Sequence, residues 1–150
     1  MKESNRDIDS YPVRVLVAGS RDWSNYQYFD SQMHLRVEML LQTVPKKNIC
    51  FISGKASYGP DDMIIYWCEQ NGYMCFEYPA DWDKYPRAAG IIRNITMGKV
   101  ATHAILFWDG ISTGTKHMKE NVASRGIPYV VYNVKRSSER SKHYRRGLYG

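Results

Sequence analysis

Short apolar runs alternate along the chain with segments whose apolar residues recur at helical spacing. Val13 to Ala18 and Ile49 to Ser53 are apolar runs that each stop at a glycine, which predicts two buried strands. Shorter or more polar runs over 73–79, 104–108 and 129–134 predict three further strands.

The segments between these strands predict four helices. Their apolar positions fall on one face, from Phe29 to Pro45, from Asp61 to Asn71, over 87–99 and over 115–125. Strand and helix alternate with short connections, an order typical of parallel strands joined by right-handed crossovers. We therefore expect an α/β fold: a Rossmann-like three-layer α/β/α arrangement around a mostly parallel sheet of about five strands.

A length of 150 residues provides for one sizeable core, since domains usually hold roughly 100–200 residues. We assign 13–134 to one nucleotide-binding domain, 1–12 to a polar N-terminal extension and 135–150 to a basic C-terminal tail. The first ten residues lack the apolar stretch of a signal peptide, and no apolar run has the length of a membrane span. A cytoplasmic protein without membrane contact is expected.

The positive charge is concentrated in the tail. Residues 135–150 hold six basic side chains against Glu139 alone and so carry +5 of the net charge of +6, which leaves the rest of the chain nearly neutral. A basic tail can contact polyanions weakly and without specificity, and it can equally be a solvated end. The second interpretation is the one we favour.

Metal binding is not indicated. The three cysteines form no Cys-x-x-Cys pair, and the four histidines show no metal-ligand spacing. We predict reduced, structural cysteines, no metal site and no certain cofactor.

In an open parallel sheet, ligands bind at the carboxyl ends of the strands. Three predicted strands lead there into loops with glycines for close backbone approach and hydroxyls for oxygen ligands. The candidate ligand-binding residues in these loops are Gly19, Ser20, Arg21, Gly54, Lys55, Asp61, Asp109, Gly110, Ser112, Gly114 and Thr115.

The loop from Asp109 to Thr115 is the strongest candidate. Two glycines bracket Ser112 and Thr113 before a helix, which suits backbone N–H donors around a phosphate. The alternative is an ordinary turn with hydroxyl caps. Asp61 has an alternative of the same kind, as a cap of the second helix.

The segment before the fourth strand supplies further candidates. Arg87 and Arg93, with Asn94, offer planar cations and an amide for an anionic group, and each arginine has a solvated surface charge as its alternative. Asp81 and Trp82 lie in a polar loop, where Trp82 is either a ligand contact or a structural plug.

Two other tryptophans lie near the same rim. Trp23 is a further stacking candidate, whereas Trp108 ends an apolar strand and is expected in the core.

Four ordered motifs carry a resemblance to a known family: VAGSRDW (17–23), SGKASYGPDD (53–62), PADWDKYPRAAGIIRN (79–94) with Met97, and FWDGISTGT (107–115). Over 13–134 the chain resembles the YspA/YpsA-related, DUF2493-like branch of the SLOG superfamily, found in bacteria and phages. The resemblance implies a Rossmann-like fold that binds a nucleotide or nucleotide-derived ligand.

The related LOG branch cleaves nucleoside monophosphates at the N-glycosidic bond and shows an Arg before a Met, then a PGGxGTxxE loop. Arg93, Met97 and Gly114-Thr115 match, but Met118 stands at the glutamate position. A thioether cannot serve as a general acid or base, so that mechanism is not expected. Lys55 and Pro60 replace the glycine and alanine that many relatives carry.

We therefore expect a module that binds a small-molecule nucleotide as a sensor, carrier or sequestering protein. A nucleotide hydrolase that uses the rim aspartates, and a DNA-associated protein similar to DprA, are the alternatives. The resemblance to LOG enzymes leaves a homodimer open.

Overall fold

A computed structural model describes residues 6–136 and shows a five-stranded, entirely parallel sheet, which confirms the predicted fold class. The sheet order is β3-β2-β1-β4-β5. The strands are β1 (Val13–Gly19), β2 (Ile49–Ser53), β3 (Cys75–Glu77), β4 (His103–Trp108) and β5 (Tyr129–Asn133).

Each connection between strands contains one helix. The helices are α1 (Tyr26–Leu41), α2 (Pro60–Asn71), α3 (Ala89–Val100) and α4 (Thr113–Ser124). Short 3₁₀ turns lie at Ile8–Ser10 and Lys46–Asn48. The side chain of Asn25 caps α1, and Gly72 ends α2 at φ +75°, a left-handed conformation that glycine adopts readily.

Two apolar clusters on opposite faces of the sheet form the core. One face packs Val15, Val17 and Phe51 with residues of α1 and α2, including Phe29 and Trp67. The other packs Leu16 and Leu106 with Met97 of α3 and with Met118 and Val122 of α4. Helices thus cover both faces, which is the predicted three-layer arrangement.

The strand order reverses beside β1. The chain passes from β1 outward to β2 and β3, then returns through α3 to add β4 on the other side of β1, where Gly19 pairs with Phe107. The carboxyl ends of β1 and β4 therefore diverge into helices on opposite faces and leave a crevice between them. Ligands of open α/β sheets bind at such switch points.

The ends of the described region pack more closely than the sequence suggests. Tyr11, which we assigned to the polar extension, is buried, and the guanidinium carbon of Arg6 lies 3.8 Å from the centroid of its ring. Most of the basic tail, 137–150, lies outside the described residues, as do 1–5. None of the helices within 6–136 combines the length and apolarity that crossing a bilayer requires.

The three cysteines are free thiols, as predicted. Burial raises the pKa of the Cys50 thiol to about 12, so it stays protonated at neutral pH. No metal-binding group of His, Cys, Asp or Glu occurs among the residues that the structure describes.

Candidate functional site

Ser20 joins the two loops at the switch point. Its backbone N–H donates to the carbonyl of Phe107 at 2.9 Å, and its buried hydroxyl accepts from the N–H of Asp109 at 3.0 Å. The predicted candidates after β1 and after β4 are therefore in direct contact.

The carboxylate of Asp109 organises the loop that we expected to cradle a phosphate. Its oxygens accept the N–H groups of Ile111 and Ser112, each at 2.8 Å, and the Ser112 hydroxyl at 2.9 Å. Burial alone would raise the pKa of Asp109, but these hydrogen bonds and one with Ser20 together lower it below its ordinary value. The Ile111 and Ser112 donors are thus already used, which differs from the predicted cradle.

The start of α4 nevertheless remains open. A Cβ atom built on Gly110 or Gly114 would meet no atom within 4 Å, and Gly110 has φ +81°. The Ser112 side chain makes no capping hydrogen bond to the helix, and Thr115 is buried. The N-terminus of α4 therefore has no side-chain cap and faces open space at Gly114.

Gly19 is required for close packing at the ends of the strands. A Cβ atom there would lie 2.4 Å from the carbonyl oxygen of Phe107 and 2.5 Å from Pro60 Cγ. The missing side chain lets the start of α2 rest on the ends of β1 and β4.

Arg93 and Asp61 lie together over Gly54, at the carboxyl end of β2. The Arg93 guanidinium donates to the Gly54 carbonyl and, at 3.1 Å, to Oδ1 of Asn94. A Cβ atom on Gly54 would lie 2.8 Å from both Arg93 Nη1 and Asp61 Oδ2, so a side chain there would displace these two groups. Although Arg93 belongs to α3, its guanidinium thus lies at the loop after β2.

Asp61 is 6% exposed and does not cap α2, whose N-cap is Gly59. Its carboxylate accepts the N–H groups of Ala56 and Gly19 instead, and neither residue belongs to α2. Burial raises the pKa of Asp61, while Arg93 and these two N–H groups oppose the rise only in part.

Asn94 connects the two halves of the crevice. Its Nδ2 donates to the Gly114 carbonyl at 3.3 Å and lies 3.2 Å from Nδ1 of His117. The backbone carbonyl of Asn94 accepts a hydrogen bond from Nδ2 of Asn121 at 2.8 Å. His117 and Asn121 were missed by the sequence analysis, because only the packing of α3 on α4 brings them to Asn94.

Lys55 points toward the edge of the sheet. Its Nζ lies 2.8 Å from Glu77 Oε1, which is an ion pair between the loop after β2 and the end of β3. Lys55 has φ +62°, a conformation that favours glycine, and this explains why a glycine suits the position in relatives.

The remaining candidates lie at the surface. Asp81 accepts from the Lys84 N–H at 3.1 Å and Trp82 is 55% exposed, both in the loop before α3. Arg21 and Arg87 are exposed. Of these two arginines, Arg21 acts on the crevice, because its positive charge lowers the pKa of Asp61.

Trp23 and Trp108 both differ from the prediction, which placed Trp108 in the core and gave Trp23 as a stacking candidate. Trp23 is buried and stacks on Phe107 with ring centroids 5.1 Å apart, so it belongs to the core and is not a stacking surface. Trp108 is only half-buried, and its Nε1 donates to the Ser112 carbonyl at 3.0 Å. Trp108 thus fixes the loop after β4 rather than filling the core as predicted.

Arg136, from the start of the predicted tail, also reaches the crevice. Its Nη2 lies 2.8 Å from Asp22 Oδ2, and its Nε lies 3.8 Å from Asp109 Oδ2. Beside it, a cleft of about 430 Å³ separates residues 23–28 from 133–135. Neither the contact of Arg136 with Asp22 nor the cleft was predicted from the sequence. The two residues of the contact are 114 positions apart along the chain.

Met118 lies in the core against the sheet, whereas Glu120 is exposed on α4. Glu120 therefore does not substitute for the carboxylate that LOG enzymes carry at the position of Met118.

These features define a Rossmann-like α/β protein with a crevice at its switch point. Residues 13–85 match the model of the YspA, cpYpsA-related SLOG family. The match runs from β1 into the loop before α3, so Arg93 and the loop after β4 lie beyond it.

One curated relative is the Gene 61 protein of Mycobacterium phage D29. It is 27% identical over 132 residues, an alignment that covers 81% of this chain and 98% of the phage protein. No solved structure matches the chain significantly.

Proposed function

We propose that this protein binds a nucleotide or nucleotide-derived ligand in the crevice between the ends of β1 and β4, as a sensor, carrier or sequestering protein. The match to the SLOG family model over residues 13–85 supports a nucleotide-related role for the Rossmann-like domain. The observation that carries the proposal is the position of Arg93, whose guanidinium is held at the crevice by neutral oxygens.

The two hydrogen bonds of the Arg93 side chain go to neutral oxygens, the Gly54 carbonyl and the Asn94 carboxamide. Such bonds fix the direction of the guanidinium without neutralising it. Asp61 lies nearby and interacts with Arg93 through its charge, although burial raises the pKa of the Asp61 carboxyl. A guanidinium that is fixed by neutral oxygens suits a phosphate, which accepts hydrogen bonds from its planar fork.

The start of α4 supplies the second attraction for an anion. Helix N-termini carry a partial positive charge and unpaired N–H groups, and this one is open above Gly114. Asn94 ties that helix to the segment that holds Arg93. A phosphate between Arg93 and Gly114 would therefore meet both.

The absence of a carboxylate at Met118 favours binding over turnover. The two carboxylates nearest the crevice are engaged: Asp109 holds its own loop, and Asp61 accepts two backbone N–H groups. Both carboxyl groups thus hold backbone segments around the crevice.

Two measurements test the proposal. Protein purified from cells is heated, and mass spectrometry of the released small molecules is expected to detect a nucleotide-derived compound. Calorimetry of that compound with Arg93→Ala is expected to show a loss of about ten- to a hundredfold in affinity, since a hydrogen bond to a charged group is worth roughly 1.5–3 kcal/mol.

Lys99→Ala is the matched control, because it removes an exposed positive charge from the same helix, away from the crevice. It is expected to bind within about twofold of the wild type. Equal affinities for wild type and Arg93→Ala, with both variants folded, would place the ligand elsewhere. Chromatography after incubation with AMP, GMP, CMP and UMP is expected to return all four without release of free base.

A further inference from the structure

A second, smaller cleft lies on the other side of Arg93, at the carboxyl end of β3. It has a volume of about 240 Å³ and lies between the loop after β3 and the first two turns of α3. Arg93 is one of its walls, so the cleft and the switch-point crevice share that side chain.

The lining of this cleft includes apolar and acidic side chains. Pro79, Tyr85 and Ile92 supply apolar surface, and Tyr85 and Ile92 are 37% and 39% exposed. Glu77 and Asp81 add carboxylates to the lining; Glu77 is paired with Lys55, and Asp81 accepts the Lys84 N–H. Apolar side chains suit a flat ring, and the remaining carboxylate oxygens accept hydrogen bonds from hydroxyl or amino groups.

Trp82 extends this surface toward Arg93. A Cβ atom built on Gly90 would lie 3.4 and 3.7 Å from two atoms of the Trp82 ring and 3.8 Å from Arg93 Nη2. The exposed indole and the guanidinium therefore approach each other across Gly90. An aromatic ring beside a fixed cation is an arrangement on which a base stacks while its phosphate is held nearby.

We propose that this cleft is the nucleoside subsite: it takes the base and ribose of a nucleoside phosphate whose phosphate is held by Arg93. The inference rests on the proposed function and adds the orientation of the ligand. Because carboxylates line the cleft and the open start of α4 lies on the crevice side of Arg93, the phosphate lies on the crevice side. The cleft volume of about 240 Å³ is below the roughly 300–1,000 Å³ of pockets that enclose a whole drug-sized ligand. A cleft of this size suits part of a nucleotide, with the phosphate outside it.

The test compares ligands that share a phosphate but differ in the nucleoside. Calorimetry measures the affinities of wild type, Trp82→Ala and Ile92→Ala for AMP, GMP, CMP, UMP and inorganic pyrophosphate. Trp82→Ala is expected to weaken the best of the four nucleotides by about five- to a hundredfold, the range of base stacking on an aromatic ring. Ile92→Ala is expected to weaken it by about threefold or more, and pyrophosphate is expected to change by less than twofold with either variant.

Ile91→Ala is the matched control. Ile91 is the neighbouring residue of α3, is 49% exposed and does not line the cleft, so its replacement is expected to leave all five affinities unchanged.

The outcomes separate the two proposals. If the wild type binds a nucleotide and both cleft variants bind it equally well, the nucleoside lies elsewhere and only the inference fails. The inference also fails if pyrophosphate binds as tightly as every nucleotide. If the wild type binds none of the five probes, the proposed function fails and the inference fails with it.

Discussion

The guanidinium of Arg136 lies 2.8 Å from the carboxylate of Asp22, and this contact brings the segment after β5 back to the loop after β1. The same side chain lies 3.8 Å from Asp109, so it partly offsets two negative charges beside the crevice. The first residues of the basic segment thus have a definite place next to the proposed site.

We predict that Arg136 tunes binding without forming the site. Arg136→Ala, or truncation after Val134, is expected to reduce ligand affinity by less than about tenfold at low salt, because it uncovers carboxylates that repel an anion. Arg136 is 51% exposed, and surface ion pairs contribute about 0–1 kcal/mol, so thermal stability should change little. Calorimetry at two salt concentrations measures the effect. A loss beyond tenfold that persists at high salt would make Arg136 a ligand-binding residue.

Gly19 and Gly114 are predicted to respond oppositely to alanine. At Gly19 a methyl group collides with the Phe107 carbonyl and Pro60, so Gly19→Ala is expected to lower the free energy of unfolding by about 1–3 kcal/mol or more. At Gly114 it enters open space in the first turn of α4, and Gly114→Ala is expected to raise that free energy by up to about 1 kcal/mol.

Denaturant unfolding of both variants measures the difference. Ligand affinity supplies a second readout, since Gly114→Val is expected to weaken phosphate binding while the domain stays folded. If Gly114→Val binds normally, the start of α4 does not contact the ligand. A Gly19→Ala variant as stable as the wild type would contradict the close packing of α2 on the strand ends.

The carboxyl of Asp61 is predicted to make stability fall as pH rises. Its folded-state pKa lies above the unfolded value of about 3.9, so the folded protein binds this proton more tightly than the unfolded chain does. The stabilising contribution of the protonated carboxyl is complete below the unfolded pKa and is lost as pH rises through the folded pKa. The Asp61→Asn variant has no titrating group at this position. We therefore expect the difference in melting temperature, wild type minus variant, to decline as pH rises from about 4.

Thermal melting of both proteins between pH 4 and pH 8 measures this difference. Asp83→Asn removes an exposed carboxylate and controls for net charge. A difference that grows with pH would mean that attraction to Arg93 outweighs the burial of the Asp61 carboxylate.

The sequence by itself determined the fold class and the edge of the sheet where a ligand is expected. Buried strands of a parallel sheet are continuous apolar runs, so Val13 to Ala18 and Ile49 to Ser53 were recognisable without tertiary information. The glycine-rich loops after them followed directly, because a strand end is a local feature. Helix ends were less certain: α1 ends at Leu41, although apolar residues continue to Val44.

Tertiary structure alone decided what each candidate contacts. Arg93 lies 39 positions from Gly54 and Arg136 lies 114 from Asp22, and no local pattern encodes such pairings. The Asp109 carboxylate accepts the N–H groups of Ile111 and Ser112, which the sequence predicted as donors to a phosphate. Gly19 is required because a side chain there would collide with Pro60. The physical reason is the same in each case: strand periodicity and turn preference act over a few residues, whereas side-chain contacts at the crevice depend on how the whole chain packs.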